Sequence, residues 1–408
     1  MKMKNTGGFF RRRFLFGPML LVFLFLWGCH PSLRKEVTRP EDALTRVRFF
    51  YPEFRDDMDL ASLENAVNHS LAYLSRQSPD QVFEYGRDKY SCRQVVESHK
   101  ALLNLIRTSK SSEEFKRAVK KGFILYRAKG APQNEKVLFT GYYEPTYPAS
   151  LSPDATYKHP IYKKPDDLIQ VDLSPFREEF KGKSIVARID GKRVVPYYSR
   201  KEIEDNKSLA GRRLEIAWLK DHLDVSFLQI QGSGRLKLPD NSIMRVGYEA
   251  SNGRPYQSIG RYMLQKGLLS REEVSMQSIR RYLAEHREAQ PEILNYNPSY
   301  VFFRTVDGGP FGSINVPLTP GRSLALDSGL FPKGALCFVT TKKPVLDSKS
   351  GIAGWNEFSR FMLNQDTGGA IKGAGRADLF WGSDDYAEIA AGHMKHEGDL
   401  YVLIKKPD

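Results

Sequence analysis

Residues that hold metals or carry redox chemistry are scarce in this chain. Three cysteines occur in 408 residues, no CxxC or HExxH pattern appears, and the eight histidines show no ligand spacing. A metal centre or a reactive dithiol is therefore not expected. Cys92 and Cys337 lie too far apart in sequence to imply a bond, so a disulfide and two buried thiols both stay open. Internal repeats and low-complexity segments are absent too. The formal net charge is +14, from 62 Lys and Arg against 48 Asp and Glu, yet no dense basic run concentrates it. Dispersed cations of this kind weigh against a nucleic-acid arm.

Nor does any apolar run reach the roughly 20 residues of a comfortable bilayer span. Phe14 to Trp27 comes nearest, behind Lys2, Lys4, Arg11, Arg12 and Arg13 and ahead of Gly28-Cys29. A charged head, a short apolar run and a small residue before a cleavage point read as an export signal. Leu26-Trp27-Gly28-Cys29 resembles a lipobox, with Cys29 as the lipidated first residue of the mature chain. A plain membrane anchor is the alternative, and Arg11-Arg12-Arg13-Phe14-Leu15 also resembles a twin-arginine signal. Loss of Met1 to Gly28 takes away five positive charges and no negative ones, leaving +9. On an exported, tethered protein, that balance suits anionic lipid or an anionic cell-wall polymer better than nucleic acid.

What is present is a chain of two characters. Residues 29–56 are polar with scattered prolines and read as a tether. Leu60, Leu63, Val67, Leu71 and Leu74 then fall at helical spacing, with Asp59 or Ser62 to cap them. A second helix is expected over Arg93 to Ile106, and Ser111 with Glu114 announces a third as a capping box. From Lys136 onward, short β-rich segments recur between Gly and Pro turns: KVLFTGYYEP, HPIYKKP, KSIVARIDGKRVVPYYS, LDVSFLQIQGSGRLKL and SIMRVGYEA. A helical interlude, SREEVSMQSIRRYLAEH, precedes NPSYVFFR, GALCFVTT, FMLNQDTGG and GDLYVLIKK. Many short strands with few helices between them argue for β-barrels over a doubly wound parallel sheet.

The stretch QDTGGAIKGAGRADLFWG, residues 365–382, sets five glycines among Asp366 and Asp378. Gly368 and Gly373 have phosphate-loop spacing, but Ala374 and Gly375 stand where Lys and Ser or Thr are needed. A dinucleotide fingerprint fails as well, because Asp378 occupies the place of its third glycine. Glycan chemistry fits better. Cleaving a glycosidic bond requires a carboxylic acid still protonated near neutral pH, and desolvation beside apolar groups raises a carboxyl pKa. Leu379, Phe380 and Trp381 are expected to form such surroundings, and the glycines to leave clearance for a sugar chain. The competing reading makes both aspartates ordinary turn carboxylates. In FTGYYEPTYP, Tyr142, Tyr143 and Tyr147 are suited to stacking on sugar rings or to a core strand. In LQIQGSGRL, Gln229 and Gln231 are expected on one face of an alternating strand.

Taken in order between Lys136 and Leu403, FTGYYEP, QIQGSGRL, NPSYVFFR, VPLTPGRSLALD and QDTGGAIKGAGRADLFWG resemble the membrane-bound lytic murein transglycosylases of the A type. The last of these motifs belongs to that family's three-aspartate region. The resemblance implies a mainly β fold: a double-psi β-barrel with N-terminal helices (57–145 and 308–408), interrupted by a smaller inserted β-barrel domain (146–307), with a groove between them. It implies a lyase that cuts the β-1,4 bond between N-acetylmuramic acid and N-acetylglucosamine without water, leaving 1,6-anhydromuramoyl ends. Asp378 would be the catalytic acid and then base, and Asp366 a supporting carboxylate. Thr140, Tyr142, Tyr143, Gln229, Gln231 and Ser233 would bind substrate, with neither cofactor nor metal. The expected partners are peptidoglycan strands and, through Cys29, the periplasmic face of the outer membrane of a Gram-negative bacterium; the expected state is a monomer. Two other readings stay open: a glycan hydrolase using Asp378 and Asp366 as acid and base, and a cell-wall-binding lipoprotein without activity.

Overall fold

The structure, a computed structural model, describes residues 36–407 apart from 134, 272, 349 and 350. The expected export signal, the Cys29 lipidation site and the start of the tether lie outside the described residues.

The later part of the expected tether is folded onto the protein. Leu44–Arg46 (β1) pairs antiparallel with Phe123–Ala128 (β2). A little further on, Asp56 accepts two hydrogen bonds from the fully buried Arg322, at 2.6 and 2.8 Å. Asp57 likewise clamps Arg360 at 2.7 and 2.8 Å. A polar composition concealed these contacts, since each polar group has its partner some 300 residues away.

Three helices follow where expected. Leu60–Leu74 (α1) starts at Asp59, whose carboxylate accepts from Ser62 N. Cys92–Thr108 (α2) carries a full capping box between Ser91 and Gln94. Ser112–Gly122 (α3) is capped by Ser111, which accepts from Glu114 N. Between α1 and α2, Val82–Tyr85 and Asp88–Ser91 make a small hairpin.

Val137–Tyr142 (β3) leads out of this first unit. The chain then builds a second sheet from Thr146–Ser150 (β4), His159–Tyr162 (β5), Glu215–Leu219 (β6), Ser233–Lys237 (β7), Ile243–Ser251 (β8) and Val301–Val306 (β9), in the order β9-β8-β7-β4-β6-β5. A parallel bridge between Lys163 and Phe303 brings its two edges together. Inside it pack Ile161, Leu219, Leu228, Leu236, Val246 and Phe303. A three-stranded meander covers Ile169–Asp172, Ser184–Asp190 and Arg193–Pro196.

One expectation fails here. LDVSFLQIQ is not a strand but most of a helix, His222–Gln231 (α4). Asp221 caps its start by accepting from Leu223 N, and Gly232 ends it in the left-handed region at φ 78°. Every residue from Leu223 to Gln229 is buried. A helix buried all round has no polar stripe, so its 3.6-residue period is invisible and chance alternation reads as a strand. Gln229 and Gln231 therefore sit at a helix end, not on a strand face. The interlude does form a helix, Met276–Glu285 (α5).

After β9 the chain returns to the first unit with Ser323–Ala325 (β10), Leu336–Leu346 (β11), Ile352–Asp366 (β12), Arg376–Phe380 (β13), helix Asp385–His393 (α6) and Lys395–Lys405 (β14). Six strands close into a ring, β3-β14-β11-β12-β10-β13 and back to β3, with β13–β3 and β10–β12 parallel. This is the mainly β architecture expected, a closed barrel with a second β unit inserted. Alternation explains why its strands read as continuous apolar runs. In LCFV, Cys337 and Val339 face the barrel core, while Leu336 and Phe338 face the layer covered by α1 to α3. Cys92 and Cys337 are both free, buried thiols.

Candidate active site

Asp378 sits in the middle of β13, whose register is fixed on both sides. Across the parallel pair with β3 it stands opposite Thr140, and Phe380 stands opposite Tyr142. Across the antiparallel pair with β10 it stands opposite Ala325. Ala325 also faces Asp366, at the end of β12 on its other side. The two aspartates thus flank one alanine, two strand spacings or about 9.5 Å apart along the sheet.

Their hydrogen bonds differ. Asp366 holds three donors: Oδ1 accepts from Ser313 N and Thr367 N at 2.9 and 2.8 Å, and Oδ2 from the Tyr142 hydroxyl at 2.9 Å. Asp378 accepts on Oδ1 from Thr140 Oγ1 at 2.6 Å; among the described residues its Oδ2 has no such donor. Burial pushes the Asp378 carboxyl up to about 6, against the opposing pull of the Thr140 hydroxyl and the Arg376 guanidinium. Burial likewise pushes Asp366 up to about 6, against its three donors.

The apolar surroundings expected for Asp378 are only partly those named. Strand alternation sends Leu379 and Trp381 into the barrel core and leaves Phe380 on the aspartate's side. There Phe380 packs against Tyr142, with ring centroids 5.3 Å apart. The glycines also divide. Gly373 has φ 82°, and a Cβ on Gly375 would come within 2.7 Å of Ala131 N, so these two shape the loop backbone itself. Gly368 and Gly369 line the groove.

That groove encloses about 1740 Å³ and is walled by both β units. Thr140, Tyr142, Asp366 and Asp378 come from the closed barrel, and Gln229, Gln231, Ser233 and Tyr256 from the inserted unit. Tyr256 reaches across to the aspartate loop, where a Cβ on Gly369 would be 3.5 Å from the Tyr256 Cβ.

Residues 138–304 match the MltA specific insert domain and residues 322–404 match the 3D domain. The membrane-bound lytic murein transglycosylase A of Vibrio cholerae is 30% identical over 277 residues, 67% of each chain. The chain belongs to the membrane-bound lytic murein transglycosylase A family. A membrane-bound lytic murein transglycosylase structure from Agrobacterium tumefaciens superposes with a TM-score of 0.71 at 31% identity, covering 85% of this chain and 93% of that one. Escherichia coli MltA with bound chitohexaose shares the fold at 23% identity, with a TM-score of 0.67 over 91% of this chain and 98% of that one.

In this transglycosylase A fold, most of the residues expected at the site meet in one groove. Tyr143 does not: it follows Tyr142 and packs against the barrel core. Gln229 is 5% exposed and its Oε1 is taken by Arg200 Nη2 at 2.5 Å. Gln231 Oε1 accepts from Tyr143 N at 3.1 Å, tying the inserted unit to the end of β3. Tyr256, Arg376 and Ser313 were not foreseen. Arg376 was legible, because it lies two residues before Asp378 on the same strand face. Ser313 acts through its backbone, and Tyr256 through a loop contact, neither of which leaves a pattern in sequence.

Proposed function

We propose that this chain cleaves the β-1,4 bond between N-acetylmuramic acid and N-acetylglucosamine of peptidoglycan without adding water, leaving a 1,6-anhydromuramoyl end. Lytic transglycosylase activity is that of the family to which it belongs. The observation that carries the finer reading is the asymmetry of the two carboxyls. Asp378 has an open oxygen in the groove and a pKa raised to about 6. Protonated, it donates to the departing glycosidic oxygen. As carboxylate it then accepts the proton of the muramoyl C6 hydroxyl, which attacks C1 and closes the anhydro ring. Asp366 is committed to three donors and is a poor candidate for the water-activating base that a hydrolase requires. Its role here is to orient Tyr142 and the backbone at Ser313.

Thr140 holds the Asp378 carboxyl, and Tyr142, Gln231 and Ser233 contribute to the glycan wall, with Gln229 set by Arg200 behind it. The inserted segment 146–307 acts as the substrate-binding domain of a monomer. In this reading the protein is lipidated on Cys29 and works from the periplasmic face of the outer membrane. Digestion of purified sacculi by the soluble chain tests the chemistry. Anhydro ends are expected by mass; ordinary reducing muramic ends would mean hydrolysis, and intact glycan would mean binding alone. Asp378→Asn is expected to lower turnover at least about 10²-fold, and full activity in that variant would remove Asp378 from the mechanism.

A further inference from the structure

Arg376 lines the groove at the first position of β13. Alternation places it on the same strand face as Asp378, with Cβ atoms about 6.5–7 Å apart. The fully buried guanidiniums among the described residues are engaged: Arg322 with Asp56, Arg360 with Asp57, Arg200 with Glu204 and Gln229. Arg376 makes no hydrogen bond or ion pair among the described residues, and its Nε is buried without a partner. A half-buried guanidinium left this way is unfavourable for the free protein. Its charge also pulls the Asp378 carboxyl down, against the protonation that a general acid requires. Both costs are offset if a ligand brings the acceptor.

The acids nearby do not supply one. Asp366 already accepts from three other donors, and Glu249 across the groove pairs with Arg304 at 3.3 Å. Lys372 and Lys395 line the same groove, so this region is cationic. The two sugars of the glycan differ in one group, the 3-O-lactyl ether of N-acetylmuramic acid. In the proposed reaction that group is borne by the ring whose C1 Asp378 serves, and Arg376 stands two residues before Asp378 on the same strand face. Its carboxyl oxygens match the planar fork of a guanidinium.

We propose that Arg376 is the specificity residue that reads the lactyl carboxyl oxygens and so places a muramoyl ring, not a glucosaminyl ring, over Asp378. The inference rests on the groove being the glycan site. The group is a carboxylate in peptide-free glycan and an amide carbonyl where a peptide is attached, and both accept from Arg376.

Calorimetry on the full chain carrying Asp378→Asn separates the alternatives, using chitohexaose, a peptide-free GlcNAc–MurNAc hexasaccharide and its peptide-bearing counterpart. Both muramoyl ligands are expected to bind about tenfold tighter than chitohexaose or better. Adding Arg376→Ala should abolish that preference while chitohexaose affinity stays within about twofold, which also shows that the groove is folded. Arg376→Lys should recover part of the preference for the carboxylate form. Muramoyl preference surviving Arg376→Ala overturns the inference and leaves the glycan groove standing. Equal loss of chitohexaose binding overturns it in favour of a structural role. No binding of any glycan before Arg376 is touched overturns the groove reading itself.

Discussion

Asp366 and Asp378 begin with the same intrinsic acidity and stand on either side of Ala325. Burial raises both to about 6 from 3.8, and it carries a consequence for stability. Below pH 3.8 such a group is protonated whether the chain is folded or not. As pH rises toward 6, the unfolded chain releases the proton while the folded one retains it, so stability falls across that window and the loss is complete above it. Asn at 378 can still accept from Thr140 but cannot ionise. Asp378→Asn is therefore expected to be more stable than the parent at pH 8, by about 1–3 kcal/mol at about 1.4 kcal/mol per pKa unit. Near pH 4 the two should converge. Thermal melts between pH 4 and pH 8 check this, and a gap that does not vary with pH would contradict it.

Among the elements, the clamp that joins the N-terminal segment to the barrel rests on a fully buried charge. Arg322, just before β10, is 0% exposed and is held by Asp56, by the carbonyls of Asp59 and Phe361 and by Ser62 Oγ. Asp56→Ala strands that guanidinium in the interior and is expected to cost about 3–5 kcal/mol. Urea unfolding measures it, and a loss below about 1 kcal/mol would show that Asp56 is dispensable. The clamp also marks the limit of sequence reading. Helices α1 and α3 were legible in part because their caps, Asp59 and Ser111, lie within three residues of the groups they satisfy. The Asp56–Arg322 pair spans 266 positions, and nothing near Asp56 distinguishes it from tether. The register that sets Asp378 against Thr140 spans 238 positions. Motif resemblance, not local pattern, pointed to that meeting. The fully buried α4 is the opposite case, in which local pattern was present and misleading.

On the scale of the whole molecule, the groove depends on two β units keeping their places, and two connections link them, of which the first is short. At the first, Glu144 follows β3 and is 2% exposed, with Arg245 Nε at 3.3 Å and Arg235 Nε at 4.0 Å, both from the inserted unit. Burial raises the Glu144 carboxyl and the two arginines oppose that rise. Arg235 does more than neutralise it. It donates through Nε to Thr146 Oγ1 and through Nη2 to the carbonyl of Ser383, both at 2.9 Å. Ser383 lies just past the RADLFWG segment, so one side chain of the inserted unit grips the strand exit that carries Asp378. Arg235 does not itself line the groove. Removing it should leave each core packed but loosen the angle between the walls, an effect on substrate positioning more than on acid strength. Arg235→Ala is expected to raise KM about three- to tenfold with the pH dependence of kcat unchanged, and to speed proteolytic nicking near residues 143–146. Steady-state kinetics on soluble glycan and timed proteolysis test both parts. A displaced pH profile with unaltered KM would place Arg235 with the proton chemistry instead of the hinge.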